Sequence, residues 1–161
     1  MARVLITGGT GLVGTAVKNL LLQKGYEVVL LTRSTMSDKG YAHWDINAGT
    51  IDATAIAAAD YIIHLAGAGV ADKRWSVARK QEILDSRTKS SALLVKALEE
   101  TPNKVKAVIS ASAIGWYGPD KNSHSNNAHN NDLAAQGFVE TDPSYPDFLG
   151  TTCAAWEASI A

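Results

Sequence analysis

Eight residues near the start of the chain constrain its fold more than any others. The run Thr7-Gly8-Gly9-Thr10-Gly11-Leu12-Val13-Gly14 follows the short apolar segment Val4-Leu5-Ile6. Beyond it, Gly11 to Lys24 carries Leu12, Val13, Val17, Leu20 and Leu21 at helical spacing, and Gly25 supplies a stop. A glycine-rich turn between a buried strand and a helix suits a βαβ unit. Gly8 permits the tight turn, Gly11 lets backbone approach a pyrophosphate, and Gly14 lets the helix pack closely on the sheet. The helix start adds unpaired N–H groups and a positive dipole end. All eight residues are therefore candidate phosphate-binding positions. A glycine triplet alone would mark only a tight structural turn; the strand before it and the helix after it give it weight. No Gly-Lys-Ser/Thr follows, which argues against a nucleoside-triphosphate P-loop.

The rest of the chain repeats the alternation. Val28 to Leu31 reads as a second buried strand, Tyr41 to Asp45 as a short third, and Tyr61 to Leu65 as another. Asp52 to Ala59 is an alanine-rich helical segment, and Trp75 to Glu100 a long helix ended by Pro102. Val105 to Ile109 is the next strand, and a last helix runs from Pro146 toward Ala161. Short hydrophobic strands alternating with helices predict an α/β fold: a doubly wound parallel sheet of the Rossmann type, covered on both faces.

Cofactor choice is expected at the end of the second strand. An acidic residue there would hold the ribose hydroxyls of NAD, whereas an arginine accommodates the 2′-phosphate of NADP. The chain has Thr32-Arg33-Ser34 and no acid before Asp38. Arg33 can contact a phosphate bidentately, and Ser34 can add a hydroxyl; otherwise Arg33 is a solvated surface charge. The expectation is NADP, with NAD as the second choice. Asp45 can accept from an adenine amino group or form a turn. Leu65-Ala66-Gly67-Ala68 ends a strand with small residues that let the dinucleotide approach. His64, in that strand, reads as a packed core histidine.

Composition narrows the alternatives. With 161 residues, one domain is expected, here residues 1–161, with 121–136 as a flexible insertion rich in Asn, Ser and His. A net charge of −1 gives no electrostatic case for nucleic acid or an anionic membrane. No apolar run reaches membrane-span length. Cys153 is the lone cysteine, and no signal-peptide pattern opens the chain; both fit a cytoplasmic protein. His124 and His129 lack companion ligands, so no metal is expected. The chain stops within an apparent helix, so a fragment of a longer protein is expected.

Several motifs together resemble the extended and atypical short-chain dehydrogenase/reductase superfamily. Thr7 to Gly14 matches Thr-Gly-x-x-Gly-x-x-Gly, and His64-Leu65-Ala66-Gly67 is similar to its Asn-x-Ala-Gly element. Ser110-Ala111-Ser112 with Trp116-Tyr117-Gly118 is similar to its Ser-x-x-x-x-Tyr-Gly segment. Lys73-Arg74-Trp75, Ser86-Arg87, Ser112-Ala113-Ile114-Gly115-Trp116-Tyr117-Gly118, Asp147-Phe148-Leu149 and Trp156-Glu157 resemble the epimerase/dehydratase-like subgroup, often named nucleoside-diphosphate-sugar epimerases. The resemblance implies a chain about twice as long, with a substrate-binding half beyond these residues. It implies a small-molecule substrate, such as a nucleotide sugar or a carbonyl compound, and a homodimer built on the long helix and the last one.

One departure stands out. The superfamily's Tyr-x-x-x-Lys pair falls on Phe148/Thr152 or Leu149/Cys153, neither of which transfers a proton as Tyr beside Lys does. Ser112, as a hydrogen-bonding partner of substrate, and Tyr117, as an alternative acid, are the remaining catalytic candidates; strand termination and packing are their bland roles. Ser86 stands where the superfamily has a helix Asn. Arg87 beside it reads as a helix-surface charge, with an anionic substrate as the alternative. Cys153 has no activating neighbour in sequence. Two functions stay open: an NADP-dependent epimerase or oxidoreductase, and a non-catalytic protein using bound NADP(H) for stability or sensing.

Overall fold

A computed structural model describes residues 1–34, 38–119 and 137–161. The expected insertion at 121–136, with His124 and His129, lies outside the described residues.

Six strands form one sheet: β1 (Arg3–Thr7), β2 (Glu27–Thr32), β3 (Tyr41–Asp45), β4 (Thr50–Ile51), β5 (Tyr61–His64) and β6 (Ala107–Ser110). Their order is β4-β3-β2-β1-β5-β6. All neighbours are parallel except β4, which pairs antiparallel with β3 through Trp44 and Ile51. The chain winds outward from β1 in both directions, so the order reverses between β1 and β5. In open α/β sheets ligands bind at such a switch point, beyond the carboxyl ends of the strands.

Four helices complete the fold: α1 (Leu12–Gln23), α2 (Ala53–Ala58), α3 (Val77–Glu100) and α4 (Phe148–Ala158). Asp52 caps α2 by accepting from the amides of Thr54 and Ala55, Ser76 caps α3, and Asp147 caps α4. A side-chain oxygen at each position satisfies an amide that the helix leaves unpaired. Alternate strand residues feed two cores. Leu5, Leu31, Trp44 and Ile62 pack with Ile56 of α2 and Leu93, Leu94 and Ala97 of α3. Val4, Ile6 and Leu30 face the other way, against Val17 and Leu21 of α1.

One expectation needs correction. The sheet is not covered on both faces throughout: Ile109 of β6 is 59% exposed, and Ala107 and Val108 are exposed beside it. β6 is an edge strand, and no described helix covers its Ala107 and Ile109 face; Val108, on the other face, lines a groove with Val95 and Leu98 of α3. In α1, Leu12, Val13 and Leu20 are 92%, 60% and 52% exposed. The packed face is Gly14, Val17 and Leu21, spaced three and four apart, and the glycine brings it against the sheet. The antiparallel β4 was not expected from the sequence. Among the described residues no helix is long and apolar enough to cross a membrane.

Candidate functional site

The carboxyl ends of β1, β2 and β5 meet at one edge of the sheet, because Thr7 is in register with both Leu31 and His64. This places Thr7–Gly14, Thr32-Arg33-Ser34 and Leu65–Ala68 side by side, as the sequence predicts.

The glycines of the first loop differ in what the fold asks of them. Gly8 has φ 66°, and a Cβ there would lie 2.6 Å from the Leu65 carbonyl oxygen. A Cβ on Gly14 would collide with the Gly8 carbonyl oxygen and lie 2.6 Å from Gly9 Cα. Gly9 is buried against the Leu30 side chain. Gly11 is different: it is exposed, its φ is −74°, and the nearest atom to an added Cβ is the Gly8 carbonyl oxygen at 3.4 Å. Packing and dihedral angle therefore account for three glycines but not for Gly11. No side chain caps α1, and its first helical bond runs from the Thr15 amide to the Gly11 carbonyl. The amides of Leu12, Val13 and Gly14 thus have no acceptor within the helix. Thr10, Leu12 and Val13 form the exposed rim of this opening.

A buried polar chain braces the loop from below. The Thr7 hydroxyl accepts from the amides of Leu65 and Ala66, each at 3.1 Å. A hydroxyl has one proton to donate, and it goes to His64 Nδ1 at 2.7 Å. His64 therefore carries its own proton on Nε2, facing Ser91 Oγ at 3.2 Å and Ser90 Oγ at 3.3 Å. Thr7, His64, Ser90 and Ser91 have no exposed surface. Burial lowers the His64 pKa to about 4, so the ring is neutral. His64 is a core residue, as its sequence context suggests.

Arg33 stands one residue past β2, exposed, in a turn where the Ser34 amide donates to Thr32 Oγ1 at 3.2 Å. Asp45 makes a turn: its carboxylate accepts from the amides of Asn47 (2.8 Å) and Ala48 (3.0 Å). These bonds hold its pKa below the ordinary aspartate value.

The second candidate region follows β6. Ser112 is exposed and donates to Glu157 Oε1 of α4 at 2.5 Å. Tyr117 follows the 3-10 turn Ile114–Trp116 and stacks on Phe138, with ring centroids 4.9 Å apart. At the start of α4, Thr152 is buried and donates to the Phe148 carbonyl at 2.6 Å. Cys153 is buried too, and burial raises its thiol pKa. Neither residue reproduces a tyrosine phenol beside a lysine ammonium.

Arg87 corrects the reading of a helix-surface charge. Its guanidinium is half-buried, donating to the carbonyls of Ala68 (3.1 Å) and Ile83 (3.0 Å), over the ring of Trp156. The signal was available in the pattern Ile83, Arg87, Ser90, Leu94, Ala97, which alternates four and three and defines one helix face. Glu157, the partner of Ser112, carried no such signal, because the two are 45 residues apart in sequence.

A groove of about 440 Å³, lined by residues including Val95, Leu98, Val105, Val108 and Ile160, lies at the opposite, amino-terminal end of β6. No group of three or more His, Cys, Asp and Glu among the described residues is arranged to hold a metal.

A parallel sheet wound both ways from a strand that ends in a glycine turn defines a Rossmann-type protein. More narrowly, the chain belongs to the NAD dependent epimerase/dehydratase family, whose model matches residues 4–137. It is 32% identical over 158 residues to an epimerase family protein of Mycobacterium leprae, a match covering 98% of this chain and 47% of the relative. Among solved structures, the human epimerase family protein SDR39U1 with NADPH superposes with a TM-score of 0.76 at 30% identity, covering 99% of this chain and 48% of that one. A nucleoside-diphosphate sugar epimerase from Corynebacterium glutamicum superposes at 0.75 and 30% identity, covering 99% of this chain and 30% of that one. The chain spans about half the length of the curated relatives it matches.

Proposed function

We propose that this chain is an NADP(H)-binding domain spanning residues 1–161, with Thr7–Gly14 receiving the pyrophosphate. The observation that carries the reading is Gly11. Glycine there costs conformational entropy in folding, and neither packing nor dihedral angle requires it; as the N-cap of α1 it is tolerated, but Ser, Asp or Asn would cap the helix better. Space for a ligand backbone is the remaining reason, and the open amides of Leu12, Val13 and Gly14 beside it suit an anion. The human relative solved with NADPH supports the same reading. Arg33 takes the adenosine 2′-phosphate, with Thr32 and Ser34 beside it, and this sets NADP(H) ahead of NAD(H). Asp45 lies near the adenine. Leu65, Ala66, Gly67 and Ala68 line the path toward the nicotinamide half.

The cofactor, when bound, accepts or donates hydride, and the protein orients it. In the whole protein the substrate is a small molecule, a nucleotide sugar or a carbonyl compound. Ser112 hydrogen-bonds a substrate oxygen, and Tyr117 serves as an alternative acid. Titration with NADPH and with NADH, in the wild type and in Arg33→Ala, tests this reading. Tighter NADPH binding that is lost in the variant supports it, and binding of neither nucleotide refutes it.

A specific observation favours a second reading, in which bound NADP(H) serves stability or sensing without turnover. The α4 positions that would carry Tyr and Lys hold Phe148 and Thr152, or Leu149 and Cys153. Thr152 and Cys153 are both buried. Inertness of a longer form of the protein toward a panel of carbonyl compounds, with cofactor binding intact, selects this alternative.

A further inference from the structure

The loop after β5 is held from beneath by side chains of a single helix. The Ala68 amide donates to Ser86 Oγ at 2.9 Å, and the Ala68 carbonyl accepts from Arg87 Nη1 at 3.1 Å. The Gly69 carbonyl accepts from Arg79 Nη2 at 2.5 Å. All three donors and acceptors come from α3, so the loop has polar partners without belonging to any strand ladder.

The two arginines are not equivalent. Arg79 is paired with Glu82 at 2.7 Å and Asp72 at 3.6 Å. Arg87 has no carboxylate partner among the described residues. Its guanidinium lies 5.0 Å from the centre of the Trp156 ring, and directly under Gly67, where an added Cβ would sit 3.2 Å from Cζ. A half-buried cation without a counter-charge is costly unless carbonyl dipoles and an aromatic face replace water. Here both do, and the carbonyl it takes from the loop is that of Ala68. Gly67 itself is exposed.

We infer that Arg87, with Ser86 and Arg79, is a positioning residue that fixes Ala66–Gly69 in the shape that receives the nicotinamide-ribose half of the dinucleotide. The inference rests on the NADP(H) reading above. With the pyrophosphate on Thr7–Gly14 and the adenosine 2′-phosphate on the β2 side, the other half of the molecule runs toward β5. The clamp therefore acts on one half of the ligand and not on the other.

That asymmetry gives the test. The 161-residue chain is titrated with NADPH, which has both halves, and with adenosine 2′,5′-bisphosphate, which has only the adenosine half. In Arg87→Met, NADPH affinity is expected to fall about tenfold or more, while adenosine 2′,5′-bisphosphate affinity stays within about twofold. Arg87→Lys, which retains donors and charge, recovers part of the loss. If Arg87→Met does not fold, as judged by its thermal midpoint, Ser86→Ala is the second variant, which removes the contact to the Ala68 amide and leaves the guanidinium in place. Ser86 Oγ also donates to the Ile83 carbonyl and accepts from Arg87 Nη1 at 3.5 Å, so this variant loosens the same clamp and should show the same split at about threefold. Parallel loss of both ligands, or unchanged NADPH binding, overturns the inference while leaving the NADP(H) reading intact. Failure of the wild type to bind either ligand overturns both.

Discussion

The Thr7 hydroxyl and the His64 ring are joined by a 2.7 Å hydrogen bond that ties the end of β1 to the end of β5 directly beneath the glycine loop. Because the hydroxyl also receives the amides of Leu65 and Ala66, one small side chain satisfies three groups of β5 and the loop after it. Thr7→Val keeps the shape and removes the oxygen, leaving these groups without their partner. The expected loss is about 2–4 kcal/mol in urea unfolding, whereas Thr7→Ser, which keeps the hydroxyl, stays within about 1 kcal/mol. Equal stability of Thr7→Val and wild type would contradict the network.

The same histidine makes stability depend on pH. Its folded pKa, about 4, lies below the ordinary 6.5, so the unfolded chain binds the proton more readily. Its contribution is complete above about pH 6.5 and is lost as pH falls toward 4. At about 1.36 kcal/mol per pKa unit, the loss approaches roughly 3 kcal/mol. Urea unfolding across this window should show stability rising with pH in the wild type, with the slope reduced in His64→Gln. Identical slopes in the two proteins would remove His64 as the cause.

Gly14→Ala tests the packing of α1 on the sheet. The new methyl group would collide with the Gly8 carbonyl oxygen and press on Gly9 Cα at 2.6 Å. Neither is the yielding end of a side chain, so destabilisation of about 1–3 kcal/mol is expected from chemical unfolding. A variant as stable as wild type would show that the helix can shift without cost.

Much of this fold was legible in sequence because its strands are short apolar runs and its helices carry their own stops. Gly25 and Pro102 end α1 and α3 close to where composition places their ends. The switch-point residues were legible because glycine spacing, Arg33 and the small residues after β5 all lie at strand ends. What was not legible depended on contacts distant in sequence. Arg87 looks like a surface charge until Ala68, Gly67 and Trp156 close around it. Ser112 shows no partner until α4 brings Glu157 to it. The bareness of β6 could not be read either, since periodicity does not say which face of a strand another element covers.

Arg33→Ala separates the two nicotinamide cofactors. Arg33 is exposed and lies outside both cores, so the variant should melt within about 1–2 °C of wild type. NADPH affinity should fall about tenfold or more while NADH affinity changes little, since the lost contact is a charge-assisted one to the 2′-phosphate. Equal losses for both nucleotides would move the 2′-phosphate away from Arg33.

The most direct test of the account is to titrate NADPH into the wild type and Gly11→Ala, following tryptophan fluorescence, with thermal melts in parallel. Gly11 has an ordinary φ of −74° and 3.4 Å of clearance for a methyl group, so the variant should fold, with alanine at the N-cap of α1 costing about 1 kcal/mol or less and the melting point staying within a few degrees of wild type. The account predicts saturable NADPH binding in the wild type and a loss of about tenfold or more in Gly11→Ala, with the melting temperature within that range. Undiminished binding in Gly11→Ala, or no binding in either protein, would contradict the claim that this loop receives the dinucleotide.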